Sequence, residues 1–201
     1  MNPSELPNIA KPEVPHFEES GRMNKDGLLP AEIYRLALDY LVITCVDIVF
    51  LYQNQILLGK RNQYPRKGWW VIGGRMFAGE SPKFSVQRKA RQEAGLNLDA
   101  ERFEYINAYS TCFSLRSQEP QEHGLHSVNL TYKTKLTQTE KNKLQLVHSE
   151  YEQWQWFELN AVSKLLDSNN ELDRALLRIV QDIQLSKQFL RRLDEPNSSV
   201  D

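Results

Sequence analysis

Only two cysteines, Cys45 and Cys112, occur in 201 residues, enough for one bridge but not for a disulfide framework or a multi-cysteine zinc site. Such sparse thiol content suits a reducing, cytoplasmic compartment. Long apolar runs are missing as well: the most apolar stretch, Leu41 to Tyr52, covers 12 residues with Asp47 inside it, against the roughly 20 needed to span a bilayer. Charge of neither sign dominates. With 25 Lys+Arg against 26 Asp+Glu the net charge is −1, so there is no bulk positive field to hold DNA or an anionic membrane surface. Glycine and proline number nine each, too few for a collagen-like or low-complexity chain. What remains is 40% hydrophobic and 25% charged, the make-up of a single globular domain with short appendages.

Four of the nine prolines fall in residues 1–27, which lack the apolar core of a signal peptide and read as a flexible leader. A single domain is expected over 28–190, with a flexible tail over 191–201. Pro30 is suited to a first helical turn, and Ile33, Leu36, Ala37 and Tyr40 follow with amphipathic helical spacing. Leu41 to Tyr52 and Ile56 to Gly59 read as a central strand and hairpin. Gly73-Gly74 lets the backbone turn sharply or approach a ligand closely. Ser81-Pro82 and Gly95 bound a helix over Pro82 to Ala94. Arg116 to Gly124 reads as a polar surface loop, and the alternation from Ser127 to Leu136 as a strand with one wet face. Trp154 and Trp156 mark another strand, while Leu172, Ala175, Leu176, Ile179 and Ile183 mark a terminal amphipathic helix. Strands and helices alternate irregularly, which predicts an α+β fold or a layered α/β/α sandwich.

The segment Gly74-x5-Glu80-x7-Arg88-Lys89-Ala90-Arg91-Gln92-Glu93-Ala94-Gly95-Leu96 resembles the Nudix box, G-x5-E-x7-R-E-U-x-E-E-x-G-U, where U is a bulky aliphatic residue. In that family a loop, helix and loop present carboxylates on one helix face to hold Mg²⁺ against a pyrophosphate. The resemblance therefore implies the Nudix α/β/α sandwich with a mixed sheet. Lys89 and Gln92 depart from it, standing where the family has glutamates. An ammonium in place of a carboxylate shifts the local charge by two, which weakens clustered Mg²⁺ binding and leaves room for one ion at most. The same loss characterises the GDP-mannose mannosyl hydrolases, a Nudix subgroup that cleaves at the sugar carbon. Glu32-Ile33-Tyr34-Arg35, Cys45-Val46-Asp47, Gly59-Lys60-Arg61 and Gly73-Gly74-Arg75 also resemble its pattern, over roughly residues 30 to 160.

That resemblance implies a role for each matching residue. Glu93 and Gly74 would hold Mg²⁺ or Mn²⁺, Arg61 and Arg75 would face the departing diphosphate, and Asp47 and Lys89 would line the same pocket, with Glu80 in the catalytic loop. Two alignments compete at the end of the domain. One puts a general base at His148; the other matches Glu150-Tyr151-Glu152-Gln153-Trp154-Gln155-Trp156 to the segment of dinucleoside polyphosphate and RNA pyrophosphohydrolases in which the first glutamate, here Glu150, binds metal. The function implied first is Mg²⁺-dependent hydrolysis of a nucleoside diphosphate linked to another group, most simply a nucleotide sugar such as GDP-mannose, by a homodimer. A second is pyrophosphate cleavage of dinucleoside polyphosphates or RNA 5′ ends, and a third is a nucleotide-binding module with impaired catalysis.

Plainer readings stand beside these. Lys89 and Glu93 at i, i+4 could be a surface ion pair worth a few tenths of a kcal/mol, Asp47 a buried strand acid, and His148 a loop histidine. His126 fits the core edge, His123 a solvated loop, Arg88 a brace for the box, and both cysteines the core.

Overall fold

The computed structural model describes residues 12–19 and 29–194, with side chains to residue 186. Of the expected leader, residues 12–19 form no helix or strand, and Glu13 lies 2.7 Å from Lys83 Nζ. The rest of the leader and the end of the expected tail, 195–201, lie outside the described residues.

The chain order is α1 (Ala31–Tyr40), β1 (Ile43–Tyr52), β2 (Gln55–Arg61), β3 (Gly68–Trp70), β4 (Ile72–Arg75), α2 (Pro82–Ala94), β5 (Glu104–Phe113), β6 (Leu125–Lys135), α3 (Gln138–Lys143), β7 (Tyr151–Glu158) and α4 (Glu171–Asp194). The seven strands form one mixed sheet. β1 runs parallel to β6, and the other ladders are antiparallel. Period-2 alternation along β1 sorts its side chains to two cores. Val46, Ile48 and Phe50 pack with Val86, Ala90 and Ala94 of α2, while Val49 and Leu51 pack with Leu176, Ile179 and Ile183 of α4. The result is the helix, sheet, helix layering expected of an α+β sandwich.

One break in this sheet positions the cleft. β1 and β2 pair only at their hairpin end, Leu51 with Ile56 and Tyr52 with Gln55. Beyond it they part: β4 pairs with β1 from Cys45 to Ile48, while β3 and β7 pair with β2. Gly73 fills the narrowest point, since an added Cβ would lie 2.2 Å from the Val46 carbonyl oxygen and 2.6 Å from Asp47 Oδ1. The gap lets Asp47 of β1 and Glu93 of α2 line the same cleft.

The structure departs from these expectations at five places. Helix α1 forms, but Ile33, Leu36 and Tyr40 are 53%, 50% and 82% exposed, and the inward face carries Leu38, Ala37 and Tyr34. Tyr34 is drawn in because its ring lies under the Arg75 guanidinium, 3.9 Å away. The polar loop 116–124 carries a fully buried residue, Arg116, whose Nη1 donates to Asp39 Oδ1 of α1 at 2.7 Å. The supposedly wet face of β6 is covered, with Ser127 and Thr131 buried. Cys112 is exposed rather than in the core, and Cys45 is partly buried, its thiol pushed up to about 12 by burial. Helix α4 also continues through residues 191–194 of the expected tail.

Candidate active site

Helix α2 begins and ends where its capping residues dictate. The Ser81 hydroxyl accepts from the Phe84 amide, and Gly95 takes the left-handed conformation, φ 66°, that stops the helix. Arg88 and Lys89 follow one another on it, about 100° apart around the axis, and serve opposite sides. Arg88 donates to both Glu80 oxygens, to the Arg75 carbonyl at 3.1 Å and to Gln92 Oε1 at 3.0 Å. Glu80 also accepts from the Phe77 amide at 3.0 Å, closing the loop that follows β4. Burial pushes Glu80 up, but the bonds from Arg88 and Phe77 more than offset it and leave the carboxyl below its ordinary range. Arg88 is thus the expected brace, and Glu80 belongs to the brace rather than to the cleft lining.

Lys89 points into the cleft. Its Nζ lies 2.7 Å from Glu93 Oε1, and the other Glu93 oxygen accepts from the Tyr151 hydroxyl at 2.7 Å. Tyr151 is carried there because the Val147 amide bonds the Glu93 carbonyl and the Gln145 amide bonds the Ala94 carbonyl, tying the chain before β7 to the end of α2. Glu93 itself is buried. Glu150, also in the cleft, accepts from Arg61 Nη2 at 2.9 Å, and the Arg61 guanidinium sits 5.5 Å over the Tyr151 ring.

Asp47 is buried beside them and accepts from the Asn129 amide at 3.0 Å. Burial pushes its carboxyl up to about 7, against the opposing pull of the Asn129 bond and of Arg61. Arg75 lines the cleft, has no carboxylate partner among the described residues, and keeps a buried Nη1 with no hydrogen-bond partner. The cleft, about 310 Å³, brings together Asp47, Arg61, Gly74, Arg75, Lys89, Glu93 and Glu150. His148 is left out: it is exposed on the 144–150 segment, its ring 5.4 Å from that of Trp154.

Sequence reasoning did not single out Tyr34, Asn129 and Tyr151, which hold Arg75, Asp47 and Glu93. Asn129 and Ser127 carried a signal, as polar residues alternating on a strand, but one read as solvation. Tyr34 and Tyr151 lay inside segments that carried the resemblance, but nothing local gave their partners, each more than 40 residues away in sequence.

The NUDIX domain family matches residues 43–179, and the chain belongs to the Nudix hydrolase family. Among curated proteins, the uncharacterized Nudix hydrolase YvcI of Bacillus subtilis is 51% identical over 37 residues, which is 18% of this chain and 23% of that relative. Among solved structures, a binary complex of a C. elegans Ap4A hydrolase aligns with TM-score 0.50 and 16% identity over 73% of this chain and 98% of its own. A MutT NUDIX hydrolase from Burkholderia pseudomallei gives 0.49 and 22% over 59% and 84%. The NUDIX domain of Shewanella oneidensis NrtR, crystallised with ADP ribose, gives 0.48 and 19% over 76% and 88%. The domain match carries the family and the Ap4A hydrolase likeness the fold alone; neither carries the GDP-mannose mannosyl subgroup. No helix among the described residues is long and apolar enough to cross a membrane.

Nudix hydrolases generally use a divalent ion, usually Mg²⁺, and the donors here do not fit one. Hard cations of that kind need several free oxygen ligands. Both Glu93 oxygens are taken, one by an ammonium; Glu150 is held by Arg61 and Glu80 by Arg88. Among the described residues no cluster of three or more His, Cys, Asp or Glu could hold a metal ion.

Proposed function

We propose that the protein hydrolyses a nucleoside diphosphate joined to a second group, with a nucleotide sugar as the preferred class. One observation carries this reading: Arg61, Arg75 and Lys89 converge on a single cleft, and the buried Arg75 Nη1 has no acceptor of its own. An orphaned buried donor is costly, and a phosphate oxygen is the acceptor that a planar guanidinium matches best. Tyr64 and Phe113 at the same cleft offer rings for a base or sugar.

The chemistry follows from charge. Water attacks the sugar carbon, the carbon–oxygen bond breaks, and its electron pair moves onto the leaving diphosphate. Arg61, Arg75 and Lys89 offset the charge that grows there. Asp47, with its carboxyl near 7, takes the proton lost by water. His148 has no part in this scheme. Attack at phosphorus is the second reading, favoured by Glu150 in the cleft, and would release mononucleotides from a dinucleoside polyphosphate, or pyrophosphate from an RNA 5′-triphosphate end. The homodimer and the cytoplasmic setting implied by the resemblance belong to this proposal too, and sedimentation velocity measures the first.

Product analysis on a panel of nucleotide sugars and dinucleotides in ¹⁸O-water tests the reading. Label in the sugar is the expected result. Label in phosphate transfers the case to the second reading, and saturable binding without turnover of any substrate overturns both in favour of a binding module.

A further inference from the structure

Lys89 does more than replace a carboxylate. Its Nζ lies 2.7 Å from Glu93 Oε1, and a Cβ built at Gly74 would meet that same Nζ at 2.7 Å and Lys89 Cε at 2.9 Å. Glu93 Oε1 is 3.6 Å from that Cβ position. The ammonium is therefore wedged between the glycine floor of the cleft and the acid at the end of α2. The family resemblance implies a cation in that same region, between Gly74 and Glu93.

We propose that the Lys89 ammonium is the resident cation of this site, built into the chain, and that the cleft holds a diphosphate through Lys89, Arg61 and Arg75 without a divalent ion. The second half rests on the nucleotide reading above; the first half does not. An ammonium has three donors and no need of an octahedral oxygen shell. One of its protons goes to Glu93, which leaves donors for phosphate oxygens. The Tyr151 hydroxyl on Glu93 Oε2 keeps that carboxylate from swinging away to recruit an ion. Arg61 does the same for Glu150. Each acid that could ligate a metal is thus already engaged with a donor of the chain.

Two measurements on the full chain test the halves separately. In the first, Mn²⁺ is titrated into nucleotide-free protein and followed by electron paramagnetic resonance, with the parent, Lys89→Glu and Glu93→Gln compared. The parent is expected to take up no Mn²⁺ at millimolar concentration, whereas Lys89→Glu gains a site, having two carboxylates at i, i+4 beside Gly74. Uptake by the parent that Glu93→Gln abolishes overturns the proposal, and this arm needs no variant to fold better than the parent. In the second, GDP binding is measured by calorimetry in EDTA and in Mg²⁺. Equal affinity within about twofold, with Lys89→Met weaker by about tenfold in both media, is the expected result. Loss of GDP binding in EDTA overturns the proposal. A parent that binds neither Mn²⁺ nor GDP overturns the nucleotide reading while upholding Lys89 as the occupant of the cation position.

Discussion

Arg88 and Lys89 are neighbours on one helix, each pairs with a glutamate of the same sequence motif, and yet the two pairs do different work. Arg88 spends its donors on Glu80, the Arg75 carbonyl, Ser85 and Gln92, and its guanidinium sits 3.8 Å over the Phe77 ring. It is saturated, and it ties a loop to a helix. Lys89 has one acid partner, Glu93, and faces an open cleft. A single residue step, about 100° of helix rotation, separates a structural brace from a group free to meet a ligand. Neighbouring ion pairs of one helix are therefore not equal in function; what decides is how many donors are left over and what they face.

The sharpest way to break this contrast is Arg88→Ala. Both members of the pair are largely buried, at 12% and 19% side-chain exposure, so removing one leaves a carboxylate without its cation. We expect about 3 kcal/mol lost in urea unfolding, or a melting point lower by about 5–10 °C at this chain length. GDP affinity of the folded protein should change little. Were Lys89→Met to cost as much stability as Arg88→Ala, the division of labour would be wrong.

The two glycines of the cleft floor sharpen the same point. A Cβ at Gly73 collides with backbone, the Val46 oxygen and Asp47 Cα, which cannot move without opening the β1–β4 ladder. Gly73→Ala should destabilise by about 2 kcal/mol. A Cβ at Gly74 clashes with the far end of the Lys89 side chain, which can move, and makes an ordinary contact with Glu93 Oε1. Gly74→Ala should unfold nearly as the parent does and show its effect instead on GDP affinity, which falls through displacement of the ammonium.

Asp47 extends the comparison to an acid held by burial rather than by a cation. Its folded carboxyl titrates near 7 against an ordinary value of 3.8, so between those values the native state holds a proton that the unfolded chain has released. Stability from this group is therefore present in full below pH 3.8 and is lost as pH rises through 7. About three units set a ceiling of about 4 kcal/mol; that value already contains the lowering pull of Asn129, Arg61 and Trp70 and the raising push of Glu93, and water reaching the cleft reduces the expected swing to about 1–2 kcal/mol. Asp47→Asn should flatten unfolding free energy against pH over that window, and an unchanged slope would show that the carboxyl is solvated.

These contrasts also mark how far the sequence could be read. Helix α2 was legible to the residue because Ser81, Pro82 and Gly95 are local signals, and the box spacing placed Glu93 and Lys89 on one face. The sandwich followed from strands such as β1, whose alternation feeds two cores. Tertiary pairings were hidden. The apolar period of α1 pointed Ile33, Leu36 and Tyr40 inward, but a contact between Tyr34 and Arg75, distant in the chain, turned the helix the other way. Arg116 looked solvated until Asp39 on that same helix met it inside. The i, i+4 spacing of Lys89 and Glu93 was equally visible, but not that Gly74 and Tyr151 enclose the pair.

The smallest effect is expected at His148, the residue for which two readings of the sequence competed. Its neighbours explain why. The segment before β7 is fixed to α2 by amides, through Val147 to Glu93 and Gln145 to Ala94, and this register sends the residues around it to different sides. Tyr151 goes to Glu93, Glu150 to Arg61, and His148 outward against Trp154. An exposed ring leaning on an indole contributes little, so His148→Ala should cost less than about 0.5 kcal/mol. Hydrolysis, followed by product release from the best substrate of the panel, should stay within about twofold of the parent, whereas loss of a general base lowers the rate by about a hundredfold or more. A fall of that size, with substrate affinity intact, would require the 144–150 segment to fold over the cleft during turnover and would move the base from Asp47 to His148.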